Sequence, residues 1–121
     1  MDRFFFTAGA IAAFVAVALG AFGAHSLKTR LSAEMLNIFE VGVRYQMYHA
    51  LGLIAVAWAT TRWPENKLNG AGWAFIIGIV IFSGSLYLLS LTGVRWFGAI
   101  TPIGGIAFLI GWAILIWSIG R

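Results

Sequence analysis

Four long apolar runs, separated by short clusters of charged and turn-forming residues, outline the chain. The first extends from Phe4 to Ala24 without a charge. It begins like a secretory leader, with Arg3 ahead of the apolar stretch and small residues near Ala18 and Gly20, but ~20 residues is long for a leader core. It is read as a retained helix over about 4–24, followed by a polar loop from His25 to Leu31. Ser32 then has the residue type of a helix N-cap, with Glu34 in the first turn. Nothing from there to Thr61 breaks a helix, although Gly42 and Gly52 weaken it. Such a helix would measure ~45 Å, against ~30 Å for a hydrocarbon core. An interfacial amphipathic segment over about 33–44 is therefore expected, with the second span over about 45–61. Glu40 and Arg44 sit at i,i+4 in the favourable order.

Pro64, within Trp63-Pro64-Glu65-Asn66-Lys67, ends the second helix. A third charge-free run predicts a helix over about 70–91, and a fourth over about 97–119 has Pro102 in its first turns, where a missing N–H costs little. Loops this short make consecutive helices antiparallel neighbours. The expected fold class is all-α: an integral membrane four-helix bundle of up-down topology, one transmembrane domain over 1–121.

Composition agrees with this pattern. Hydrophobic residues make up 61% of the chain and charged residues 10%, against roughly 25% charged in a soluble domain. The absence of cysteine excludes disulfides, zinc–thiolate sites, iron–sulfur clusters and thiol catalysis. The net charge of +4 comes from eight scattered basic residues, so no basic run tracks a nucleic-acid backbone. Four spans place both termini on one side, side A, with Arg3, Arg62, Lys67 and Arg121. Side B carries Lys28, Arg30, Arg95 and the borderline Arg44. The excess of basic residues favours side A as cytoplasmic by a small margin. Trp58, Trp63, Trp73, Trp112 and Trp117 fall toward side A and Trp96 toward side B, as headgroup-level aromatic belts do.

Helices in lipid associate by close packing and polar contacts. Gly9, Ala13, Ala16, Gly20 and Gly23 form a small-residue stripe on one face of the first helix. Gly98 and Gly105, beside Gly104 and Gly111, play the same part on the fourth. Both faces fit intramolecular packing or self-association.

The polar residues inside the spans gather in the side B half: His25 at the end of the first helix, Arg44, Tyr45, Gln46 and His49 on the second, Ser83, Ser85, Tyr87 and Ser90 on the third, and Thr101 on the fourth. On the expected boundaries His49 lies ~9 Å deep. Unsatisfied polar groups in hydrocarbon are costly, so these groups are expected to turn inward, toward each other or a small wet cavity. His49 is a hydrogen-bonding partner for a serine or carbonyl of the third helix, a proton-transfer or ligand-contacting group, or, with His25, a ligand for metal or haem. Two histidines without an intramembrane carboxylate make a poor metal site, and no metal or cofactor is expected. Arg44 is expected to reach the headgroups or pair with Glu40. The serines lack the base and carboxylate of a hydrolytic triad.

The stretches GAFGAH (Gly20 to His25), YQMYHALGL (Tyr45 to Leu53), FSGSLYLLSLTG (Phe82 to Gly93) and ITPIGGIAFLIGW (Ile100 to Trp112) resemble the YgdD-like family of small membrane proteins. That family is catalogued as a domain of unknown function (number 423), with transmembrane protein 256 as a eukaryotic relative. The resemblance implies a four-helix protein of bacterial inner membranes and no particular activity. Two functional classes follow from the residues. One is a non-enzymatic structural or accessory bundle that binds membrane lipids, another membrane protein or itself through its polar half. The other is a small oligomeric transporter or channel using that half as a vestibule. An enzyme would have to use His49, Tyr45 and Arg44 on a lipid headgroup, and the sequence names no substrate for it.

Overall fold

A computed structural model describes residues 1–120, so Arg121, counted above among the basic residues of side A, lies outside the described residues. Those residues form four helices and no strand: α1 over Asp2–Leu27, α2 over Ala33–Arg62, α3 over Asn69–Thr92 and α4 over Arg95–Gly120. Three of them, α1, α3 and α4, are long and apolar enough to cross a membrane.

The helix ends follow local chemistry. The Ser32 hydroxyl accepts from the Met35 N–H at 3.1 Å, capping α2. Gly93, at φ 74°, closes α3 in the left-handed region that favours glycine. A π-helical turn interrupts α1 at Leu19–Gly23 and α3 at Ile79–Ser83, and α4 begins with a tighter 3-10 turn over Arg95–Ala99.

Contacts along the helices fix the topology. Gly9 meets Ala50 and Leu53, Gly20 meets Val43, and Gly23 meets Phe39, so α1 and α2 run antiparallel. Gly42 against Tyr87 and Gly52 against Phe75 make α2 and α3 antiparallel; Gly78 against Phe108 and Gly104 against Phe82 do the same for α3 and α4. The centre is a cluster of Phe5, Leu53, Val56, Ala57, Ala71, Phe75 and Phe108. Close backbone approach depends on a few glycines. A Cβ on Gly104 would lie 2.4 Å from the Phe82 backbone nitrogen, and one on Gly9 2.7 Å from the Ala50 carbonyl oxygen.

Several boundaries move. α1 extends to Leu27, so His25 lies on its last turn instead of in a loop; no residue between Gly23 and Leu27 breaks the helix. α2 is one continuous helix, as nothing in its sequence breaks it, and from Phe39 onward it packs beside α1 and α3. His49 sits at the level of the middle of α4. It stacks on Phe108 with centroids 3.5 Å apart, eleven residues beyond Phe97, which is ~16 Å into a ~30 Å core. The small-residue stripe packs as expected at Gly9, Ala16, Gly20 and Gly23, whereas Ala13 turns to the edge and lines an outer groove with Ala10. On α4 the tight approaches belong to Gly104 and Gly111. Gly98 and Gly105 meet their nearest neighbours at an ordinary 3.5 and 4.0 Å.

Candidate polar site within the bundle

The polar residues of α2 meet α1, α3 and α4 in two layers. In the outer layer, α2 presents Val43 to the π-turn of α1 and Gly42 to that of α3, with Gln46 one turn further along. A π-turn adds a residue to one turn of helix and re-aims the side chains that follow. At the end of the α3 turn, the Ser83 hydroxyl donates to the Gly42 carbonyl at 2.6 Å, fully buried. The Gln46 side chain is spent at both ends. Its Nε2 donates to the Ala12 carbonyl of α1 at 2.8 Å, and its Oε1 accepts from the Tyr87 hydroxyl of α3 at 2.7 Å. One side chain thus joins three helices.

In the inner layer, His49 bonds through both ring nitrogens. Nδ1 lies 2.8 Å from the Tyr45 carbonyl, and Trp112 Nε1 donates to Nε2 at 3.1 Å. A carbonyl only accepts and an indole N–H only donates, so the arrangement requires the neutral tautomer with its proton on Nδ1. The ring is enclosed by Phe108 and by Phe75, whose centroid lies 5.3 Å away edge-on. Between α3 and α4, Ser85 donates to the Phe82 carbonyl at 2.8 Å and bonds Thr101 at 2.6 Å. Ser90 bonds the Tyr87 carbonyl of its own helix.

Gln46, His49, Ser83, Ser85, Tyr87 and Thr101 are therefore brought together as interhelical ties. Tyr45 stands at their edge, its ring 4.7 Å from that of Phe82. Arg44 and His25 do not join: both are exposed. Among the described residues the side-chain ion pairs are Arg95–Glu34 at 3.0 Å and the chain's first amine with Asp2 at 3.9 Å, so Arg44 does not pair with Glu40. His49 finds its partners on α2 itself and on α4, not on the third helix. No group of three potential metal ligands occurs among the described residues, and no buried side-chain nitrogen or oxygen there lacks a hydrogen-bond partner.

Two tying residues escaped the sequence reading. Trp112, assigned above to an aromatic belt, turns its N–H inward to His49. Asn66, in the α2–α3 loop, donates to the Ser118 carbonyl at 2.6 Å and clasps the end of α4. A hydrophobic pattern carries no signal for either, because each depends on how α4 is rotated against α2.

Two clefts open at the other end, near the termini. One, of about 580 Å³, lies between α1 and α2 and is lined by Asp2, Arg3, Phe6, Thr7, Trp58 and Thr61, among others. The second adjoins it around Lys67 and Asn69.

Closely packed helices with large apolar side chains on their outer faces, three of them long and apolar enough to cross a membrane, define a membrane protein. The chain belongs to the family described as "Protein of unknown function (DUF423)", whose profile matches residues 19–105. It is 49% identical to UPF0382 membrane protein SSP2132 of Staphylococcus saprophyticus, over 94% of both chains. It is 48% identical to UPF0382 membrane protein YwdK of Bacillus subtilis, again over 94% of each. No solved structure matches the chain.

Proposed function

We propose that this protein is a non-enzymatic accessory bundle of the bacterial inner membrane, acting by contact with lipid or with a membrane partner. Both termini are proposed to face the cytoplasm, in line with the small excess of basic residues there. One observation carries the reading: among the described residues, each buried polar side chain is satisfied within the chain. His49 has both nitrogens engaged, Gln46 both ends, and Ser85 and Thr101 each other. A catalytic or transport site keeps groups available for its substrate; here the candidates are consumed in holding helices together. Contact would then fall to the outer faces of α1 and α4, where Phe14 is 77% and Ile116 73% exposed.

A paired test separates this from transport. Purified protein in liposomes should pass protons, small cations and small anions no faster than protein-free liposomes. Flux that is lost in His49→Ala would overturn the accessory reading. Because the chain has no cysteine, Phe14→Cys and Ile116→Cys can be cross-linked in native membranes. Products of fixed mass from either position support contact through that face, and no product from either opposes it.

A further inference from the structure

The cleft between α1 and α2 at the termini combines features that the polar interior lacks: exposed charged groups, an apolar floor, and an opening at the end of the bundle. Asp2 and Arg3 both line it. As successive helical residues they point about 100° apart and do not face each other. Among the described residues Arg3 makes no ion pair or hydrogen bond, the Asp2 carboxylate has the 3.9 Å contact with the first amine, and the Thr7 hydroxyl has no hydrogen-bond partner. The neighbouring Arg62 is engaged over the Trp63 ring at 5.3 Å. The cleft thus presents an exposed guanidinium beside a carboxylate held only by the long contact with the first amine.

Below these charges the floor is Phe6, Ile54 and Trp58. Phe6 and Thr7 are shared with a groove that continues along α1 past Ala10 and Ile11 to Phe14. From Arg3 to Phe14 is eleven residues, ~16 Å of helix, or about one leaflet of a ~30 Å core.

We infer that the Asp2–Arg3 cleft and the groove beneath it hold one phosphatidylethanolamine molecule of the termini-side leaflet. Arg3 takes the phosphate, with Thr7 able to donate a second bond. Asp2 takes the primary ammonium, and one acyl chain lies along Phe6, Ala10 and Phe14. The headgroup's own pairing of phosphate and ammonium matches the paired charges of the cleft. A phosphatidylcholine headgroup carries no N–H for Asp2, and a phosphatidylglycerol headgroup carries no cation at all. This inference stands apart from the accessory reading, since a transporter could hold the same lipid.

Trp58 lines the cleft and reports on it. The full chain is reconstituted in vesicles containing a minor fraction of phosphatidylethanolamine, phosphatidylcholine or phosphatidylglycerol brominated on its acyl chains. The Trp58 component is obtained by difference from Trp58→Phe. Brominated phosphatidylethanolamine should quench that component with an apparent affinity about two- to five-fold above phosphatidylcholine, the range a solvent-accessible ion pair supports. Asp2→Asn should abolish the preference while leaving phosphatidylcholine unchanged. Arg3→Gln should weaken both lipids alike, and Arg3→Lys should retain binding. Equal quenching by the three lipids in the wild type would overturn the inference, as would stronger quenching by phosphatidylglycerol or a preference that survives Asp2→Asn. The wild-type comparison decides the matter even if a variant fails to fold.

Discussion

Replacing Gln46 by leucine removes the side chain that joins three helices while nearly conserving its volume. Two hydrogen bonds are lost, to the Ala12 carbonyl at 2.8 Å and from the Tyr87 hydroxyl at 2.7 Å. Hydrogen bonds between membrane helices contribute ~0.6 kcal/mol on average and up to ~1.7. The two together give ~1–3 kcal/mol. The consequences for the former partners differ. The Ala12 carbonyl keeps its own helical bond, whereas the half-buried Tyr87 hydroxyl loses its acceptor and has only the Ser83 hydroxyl nearby, a further cost of ~1 kcal/mol. Gln46→Leu should therefore destabilise the fold by about 2–4 kcal/mol. Tyr87→Phe, which leaves only a Gln46 oxygen without its donor, should cost about 1 kcal/mol. In the double variant the orphaned hydroxyl is gone, so the two costs should fall short of additive by ~1 kcal/mol. Reversible unfolding in mixed micelles, followed by circular dichroism as the denaturing detergent fraction rises, measures all four corners of the cycle. A Gln46→Leu effect below ~0.3 kcal/mol with no coupling to Tyr87 would refute the reading of Gln46 as a structural tie.

Other substitutions probe the remaining packing and ties. Gly104→Ala places a methyl group 2.4 Å from the Phe82 backbone nitrogen, which no side-chain rotation relieves, so it should cost at least ~1–3 kcal/mol in the same titration. Gly84→Ala meets nothing within 4 Å and should instead stabilise the helix by ~0.5–1 kcal/mol. Trp112→Phe removes the donor to His49 Nε2 and should cost ~0.6–1.7 kcal/mol, with the His49 side-chain ¹⁵N resonances in isotope-labelled protein still reporting a neutral ring protonated on Nδ1. Arg95→Gln breaks an ion pair whose side chains are 73% and 61% exposed and should change stability by less than ~1 kcal/mol.

The helices were legible because charge-free runs of span length have few alternative readings. Their ends were less so. The first helix runs on to Leu27 because no residue between Gly23 and Leu27 breaks it, which carries His25 from the expected loop onto its last turn. Polarity alone placed Gln46, His49, Ser83, Ser85 and Thr101 in one region, since unsatisfied groups in lipid must converge. Which atom meets which was not legible: the π-turns that aim Ser83 at Gly42 leave no mark in hydrophobic periodicity. The rotation of α4 that turns Trp112 inward is set by Gly104 and Gly111 seating against Phe82 and Phe75, contacts that exist only in the packed state. The headgroup-level cleft went unread because Asp2 and Arg3 look like ordinary flanking charges until α2 supplies the opposite wall.

The central claim is that the polar residues between the helices are dry structural ties rather than the lining of a watery cavity. Cysteine accessibility tests it directly in a chain that has no cysteine of its own. Ser85→Cys, at a position 5% exposed, is compared in native membranes with Thr29→Cys in the exposed α1–α2 turn, using a small water-soluble maleimide applied to inverted and right-side-out vesicles. The account predicts that Thr29→Cys reacts fully from one side, while Ser85→Cys reacts from neither side until the protein is denatured. Labelling of Ser85→Cys at a rate close to that of Thr29→Cys would contradict it, and would mean that water reaches the interior.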